Sequence, residues 1–310
     1  MNELIDMIYK MDRPVEGFNL LNYKNKWWGV GKNGEIVYGI DSNENNVNSI
    51  VQTTKLMKVY IATDFLCKIN GKVCNKKLSI YVLEHTDERI VKIFIQVCNA
   101  FGEDVNEQIL LNTFYDLKEL FANKLKPSNI ELQGMYGELF SMYYLKKNYS
   151  LDIAKYYQKE MRRKFDFSIS DKKKIEVKTT IKPERIHHFL HQQLDTDRLD
   201  IRIISILLQK DDKGMSLKEL ICNCKEIFKT NLMIIIYIES MTKNIDENEL
   251  NSIAYNECYA KENLRIYNGL DVPKVQEKNI DGVYNIEYDV DFSNVNGIQV
   301  SEFQNWTIYN

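Results

Sequence analysis

The first hundred residues alternate between apolar and polar positions. In "NKWWGVGKNGEIVYGI" (25–40) the alternation runs on both sides of "GKNG", which predicts a hairpin. A second Asn-Gly, at 70–71 in "CKINGKVCNKKLSIYVLE", predicts another. "RIVKIFIQVC" (89–98) reads as a further strand. Near residue 105 the period changes. "NEQILLNTFYDLKELFANKLK" (106–126) carries apolar residues at helical spacing, and Pro127 stops it. Ser128 with Glu131 has capping-box form and predicts a second helix to about residue 147. Gly134 and Gly137 lie inside it, where each costs about 1 kcal/mol relative to Ala, so close backbone packing is expected there. Glu138 follows, and its helical neighbours Gly134, Ser141 and Leu145 make a small-to-apolar face.

Beyond that helix the pattern predicts strands near 153–158, 165–170 and 174–180, then a helix over "PERIHHFLHQQLD" (183–195). "IRIISILLQ" (201–209) reads as a buried strand, "SLKELICNCKEIF" (216–228) as a helix and "LMIIIYI" (232–238) as another buried strand. The tail is mixed, with β-like pieces such as "GVYNIEYDVDF". The expected division is a β-rich N-terminal domain over 1–104, a core over 105–240 that includes the helical lead-in, and a mixed C-terminal extension over 241–310. The expected fold class is α/β, with an α-β-β-β-α-β core whose mixed sheet is flanked by helices.

Composition narrows the setting. The chain has 310 residues, 44% hydrophobic and 27% charged, as an ordinary globular protein does. No run approaches the roughly 18 apolar residues of a membrane span, and the N-terminus lacks an apolar signal-peptide core, so a cytoplasmic protein without membrane partners is expected. The six cysteines are scattered and read as reduced thiols. "CNC" (222–224) lacks the partners of a zinc site, and "GVG" (29–31) opens no helix, which argues against a dinucleotide loop. Net charge is −3, yet residues 155–185 hold eleven Lys or Arg and five Asp or Glu. A local basic patch on a mildly acidic chain fits a defined polyanion groove. Arg162, Arg163, Lys164, Lys182, Arg185 and His187 are the candidates for its phosphate contacts. Trp27 and Trp28 face opposite ways if both lie on one strand, so at least one is expected in the core.

The candidate chemistry sits in "DFSISDKKKIEVKTT" (166–180). Four Asp/Glu-x-Lys matches occur, at 116/118, 171/173, 211/213 and 176/178. Only Glu176 and Lys178 lie on a predicted strand, pointing the same way about 6–7 Å apart. Asp166 lies between Phe165 and Phe167 on the preceding strand and faces residue 177 or its neighbours, and a one-residue shift decides its face. Two carboxylates about 4 Å apart repel by roughly 4 kcal/mol at an effective dielectric near 20. Glu138 would add to this, and one lysine does not offset it. A raised pKa or a hard cation with oxygen ligands does, and Mg²⁺ suits one or two carboxylates plus phosphate oxygens. Metal, lysine and basic patch together are equipment for phosphodiester hydrolysis.

Glu138 on a helix, Asp166 on one strand and Glu176-Val177-Lys178 on the next resemble the PD-(D/E)XK nuclease superfamily. More closely, "GMYGELF", "FDFSIS", "IEVKTT" and "HHFLHQQL" resemble the bacterial family labelled "PD-(D/E)XK motif protein", associated with restriction-like and phage-defence gene clusters. The resemblance implies a DNA endonuclease using Mg²⁺, with Mn²⁺ as a substitute. It implies Asp166, Glu176 and the Val177 carbonyl as metal ligands and Lys178 acting on the attacking water. Glu138 would be an accessory ligand or orient a metal-bound water, and Gln193 would line the site, with Gln192 a rival by one position. Phe165 stands where the superfamily name has Pro. DNA is the implied partner, and the setting leaves room for companion proteins such as an ATPase and for a homodimer. A non-cleaving subunit with the same fold, and a nuclease for RNA or branched DNA, are the alternatives. His187, His188 and His191 are expected to contact phosphate or cover the sheet rather than bind metal.

Overall fold

The computed structural model describes residues 2–42, 49–84, 87–122, 126–157, 164–276 and 285–308. The chain divides into two compact units, Met1–Lys124 and Leu125–Asn310.

The first unit opens with helix α1 (Asn2–Tyr9) and continues through strands β1 (Phe18–Tyr23), β2 (Lys26–Gly31), β3 (Ile36–Asp41), β4 (Ile50–Thr53), β5 (Met57–Ile69) and β6 (Lys72–Leu83). They form one sheet in the order β1-β2-β3-β6-β5-β4, and β1 also pairs in parallel with β5, so five strands close on themselves. Both predicted hairpins are present, β2–β3 and β5–β6. Trp28 is buried against Tyr38 and Trp27 is nearly so, its indole donating to Asp41.

Residues 89–98 are a helix, not a strand: α2 spans Glu88–Asn99. Asp87 accepts from the backbone N–H of Arg89 and Ile90 and fixes its start. Helix α3 (Glu107–Phe121) begins at Asn106, which caps it. It belongs to the first unit, where Phe114 packs on Tyr81.

The second unit begins with helix α4 (Asn129–Tyr149). Ser128 and Glu131 form the reciprocal capping box. A 3-10 turn at Ala154–Tyr156 stands where a strand is predicted, and Tyr157 bridges to Phe167. The sheet contains β7 (Phe167–Ser168) and β8 (Lys173–Thr180), antiparallel to each other. Next comes β9 (Ile186–Leu190), followed by a 3-10 turn at His191–Leu194. These replace the helix predicted over 183–195. Along β9 exposure alternates, with His187 and Phe189 inward, because it pairs with β14 (Glu287–Asp291) far along the chain. Strand β10 (Asp200–Leu207) runs parallel to β8. Strand β11 (Lys210–Ser216) pairs with β12 (Ala254–Tyr255). Helices α5 (Leu217–Ile227), α6 (Leu232–Thr242), α7 (Glu247–Ser252) and α8 (Glu257–Glu262) follow or flank them, and β13 (Leu264–Asn268) completes a sheet ordered β13-β10-β8-β7. Helix α9 (Val300–Ile308) closes the chain.

The apolar run at 232–238 is thus α6, not a strand. Its buried residues leave no polar face to reveal a helical period, and the Asn231 side chain accepting from Ile234 N–H sets its start. Between β8 and β10 the connection is β9 with a 3-10 turn, where the expected order places a helix.

The sheet has two different faces. Ile175, Val177, Ile204 and Ile206 share a core with α4 and α5. Ile201, Ile203 and Tyr267 join Phe189, Val290 and Phe292 on the opposite side. Gly137 lets α4 approach β8: a Cβ there would lie 2.2 Å from Thr179 Cγ2 and 3.5 Å from Val177 Cγ1. Gly134 has nothing within 4 Å of that position. Opposite effects follow from the same substitution. Gly134→Ala is expected to stabilise by up to about 1 kcal/mol through helix propensity. Gly137→Ala is expected to destabilise by about 1–3 kcal/mol through overpacking, and Thr179→Ser in the same chain should recover part of that loss. Urea unfolding of the three variants checks all three signs.

Candidate active site

The alternation of β8 separates the structural from the chemical residues. Ile175 and Val177 point to the α4 side, so Glu176 and Lys178 point to the other. Glu176 pairs in register with Ile203 on β10, and Lys178 with Ser205. The antiparallel register Phe167↔Ile175 and Ser168↔Lys174, extended by one residue, sets Asp166 opposite Glu176. Opposite residues share a face. The Asp166 carboxylate reaches the strand, where its Oδ2 accepts from Val177 N–H at 2.7 Å.

Glu176 is only 4% exposed. Its Oε1 takes an ion pair from Lys178 Nζ at 2.8 Å and a hydrogen bond from Gln193 Nε2 at 2.7 Å. Lys178 Nζ also donates to Gln193 Oε1 at 3.1 Å and lies 4.7 Å above the Phe189 ring centroid. Gln193 is fully used: its amide nitrogen also reaches the Lys164 carbonyl, and its oxygen also accepts from Leu190 N–H. Gln193, not the exposed Gln192, faces the site, because the 3-10 turn directs its side chain inward. Asp166, Glu176, Lys178 and Gln193 are therefore brought together. Glu138 is half-buried on α4, next to the Gly137 contact with Val177 and Thr179. Among the described residues no three His, Cys, Asp or Glu side chains form a metal-sized cluster, so Glu138, Asp166 and Glu176 are not gathered as a set of three.

The basic candidates separate. Lys164 and Lys182 are exposed. Arg162 and Arg163 lie outside the described residues. Arg185 and His187 have other duties. Arg185 is half-buried, donating to the Ser205 carbonyl and hydroxyl and to the Asn263 carbonyl. His187 is buried, with Nε2 2.6 Å from Ser205 Oγ. Both side chains are engaged within the fold, whereas Lys164 and Lys182 stand exposed. Burial, with Arg185 and then Lys178 adding to it, lowers the His187 pKa to about 3. The histidines do not converge. His188 points outward between Glu287 and Asp289, which hold its pKa up through hydrogen bonds, and His191 lies against Tyr288.

Phe189 and Ser205 are the site neighbours the sequence reading misses. The alternation in "IHHFL" is the signal that would have found Phe189.

The donor set fits a hard divalent ion. Asp166 and Glu176 are carboxylates at facing positions on adjacent strands. Oxygen donors of this kind suit Mg²⁺.

A mixed sheet carrying Asp166 opposite a Glu-x-Lys strand, with helices over one face, is consistent with a PD-(D/E)XK-like fold. A family model described as "Putative PD-(D/E)XK family member, (DUF4420)" matches residues 30–293, and the chain belongs to that family. Members of the wider superfamily are usually nucleases, and these generally use divalent metals such as Mg²⁺. No curated protein and no solved structure matches the chain. Among the described residues no helix is long and apolar enough to cross a membrane.

The lowered His187 pKa has a pH signature. Above pH 6.5 the imidazole is neutral whether the chain is folded or not. Below it the unfolded chain takes up a proton that the native site resists down to about pH 3, so stability falls as pH falls through that window. Between pH 7 and pH 5 this one group removes about 2 kcal/mol. Denaturant unfolding at both pH values should show a smaller drop for His187→Gln than for the wild type.

Proposed function

We propose that the chain is a Mg²⁺-dependent DNA endonuclease of a bacterial restriction or phage-defence system, with Mn²⁺ able to substitute. The observation that carries this reading is the joint engagement of Glu176 Oε1 by Lys178 and Gln193, with Asp166 at the facing position. A lysine held beside a buried carboxylate on a strand that faces a second acid is a poor choice for stability alone.

Asp166, Glu176 and the Val177 carbonyl would hold the ion, with Glu138, not gathered with them as a third ligand, acting through a bound water. Such an ion supplies charge for a scissile phosphate and lowers the pKa of a bound water. Lys178 orients the attacking water and offsets negative charge developing on the phosphoryl oxygens. Gln193 keeps the Lys178 ammonium and the Glu176 carboxylate in one geometry, and Phe189 limits where the ammonium swings. Lys164 and Lys182, with Arg162 and Arg163, contact the DNA backbone, giving an affinity that falls with salt. Companion proteins of a defence cluster, an ATPase among them, a homodimeric assembly and a cytoplasmic setting belong to the same proposal.

The test is metal-dependent cleavage of plasmid, linear duplex, branched DNA and RNA in parallel. Wild-type protein should cut DNA with Mg²⁺ or Mn²⁺. Asp166→Ala and Lys178→Met should each lower the rate by about 10²–10⁴-fold while keeping the wild-type circular-dichroism spectrum. Cleavage confined to RNA or branched DNA would reassign the substrate. DNA binding with no cleavage under any metal would leave a silent binding subunit and sink the endonuclease.

A further inference from the structure

Two cysteines face each other in the first unit. Strands β5 and β6 are joined by Asn70-Gly71, both at positive φ, as a two-residue hairpin turn requires. The register then runs Ile69↔Lys72, Lys68↔Val73 and Cys67↔Cys74. Residues opposite each other in an antiparallel pair project from one face, with Cα atoms about 4.5–5.5 Å apart. A disulfide needs a Cα separation of about 4.4–6.8 Å. All six cysteines are free thiols in this structure.

The two thiols are not equivalent. Cys67 is buried with Leu20, Trp27 and Leu78, and its Sγ donates to the Phe65 carbonyl at 3.6 Å. Burial, reinforced by the neighbouring Cys74, pushes the Cys67 thiol up to about 11. Cys74 is exposed. An oxidant in solution therefore meets Cys74 first, and Cys67 waits behind it as a protonated thiol.

We propose that Cys67 and Cys74 are a reversible redox pair that closes to a cross-strand disulfide in the presence of a peroxide. In the first step the Cys74 thiolate attacks hydrogen peroxide. An S–O bond forms, the O–O bond breaks, and the leaving hydroxide takes up a proton to become water. In the second step the Cys67 sulfur attacks the Cys74 sulfur. The S–S bond forms, the S–O bond breaks, and the departing hydroxide carries off the Cys67 proton as water. Two electrons pass from the thiols to the peroxide. A small thiol such as glutathione reopens the bond by exchange. Closure pins the hairpin register at a point where a slip of one residue would turn Cys67 out of the core.

The experiment exposes the full-length protein to hydrogen peroxide, alkylates the remaining thiols and digests with trypsin. Lys68 and Lys72 lie between the two cysteines, so trypsin separates their peptides. The expected result is one linked species containing both peptides, split by dithiothreitol, with these two thiols lost together and the other four still alkylated. In Cys67→Ser, Cys74 should stop at the sulfenic acid and react with dimedone. In Cys74→Ser, Cys67 should remain alkylatable after the same exposure. The wild-type digest decides the matter even if a variant fails to fold. Absence of the linked species, over-oxidation of Cys74 beside an untouched Cys67, or a bond from Cys74 to any other cysteine overturns the proposal.

Discussion

The second unit is organised around one buried carboxylate. Placing Glu176 at 4% exposure removes its charge from water, an effective cost of several kcal/mol unless charge and hydrogen bonds answer it. Lys178 and Gln193 answer it at a single oxygen. That requirement reaches outward. Gln193 must sit in a 3-10 turn to aim its amide, and the turn is held through Leu190 N–H and the Lys164 carbonyl. One side chain thus ties β8, the end of β9 and the segment leading into β7 to the same point.

The opposite face of the sheet obeys a different rule. There α4 approaches until Gly137 sits where a side chain would strike Thr179, and Val177 packs into the large core. The same strand therefore serves hydrophobic burial with its odd-numbered residues and polar chemistry with its even-numbered ones. Fixing the strand from the apolar side is what lets the polar side hold a charged pair without drifting.

This division was legible in "KIEVKTT", because a period of two on a half-buried strand is unambiguous. The capping box of α4 was equally plain, since its two reciprocal bonds need only Ser128 and Glu131. The uniform apolar run at 232–238 was not legible, because α6 is buried over most of its surface, no period survives, and the cap at Asn231 decides the matter. In 89–98 the polar positions Arg89, Lys92 and Gln96 do carry a helical spacing, which a strand reading passes over and the cap at Asp87 supports. At the site, the face of Asp166 hung on a shift of one residue, which the Phe167↔Ile175 pair settles. Arg185 and His187 read as basic surface because what buries them is remote. Ser205 sits on another strand, and the apolar cover includes Phe292, about a hundred residues on.

That remoteness gives the fold an order in time. His188 on β9 and its partner Glu287 on β14 are 99 residues apart, and Phe292 joins Phe189 and His187 from the same distant stretch. A growing chain therefore exposes Glu176, Lys178 and Gln193 to the ribosome's surroundings long before β14 is made. The strand that carries the charged pair thus precedes, along the chain, the segment that packs on Phe189 and His187.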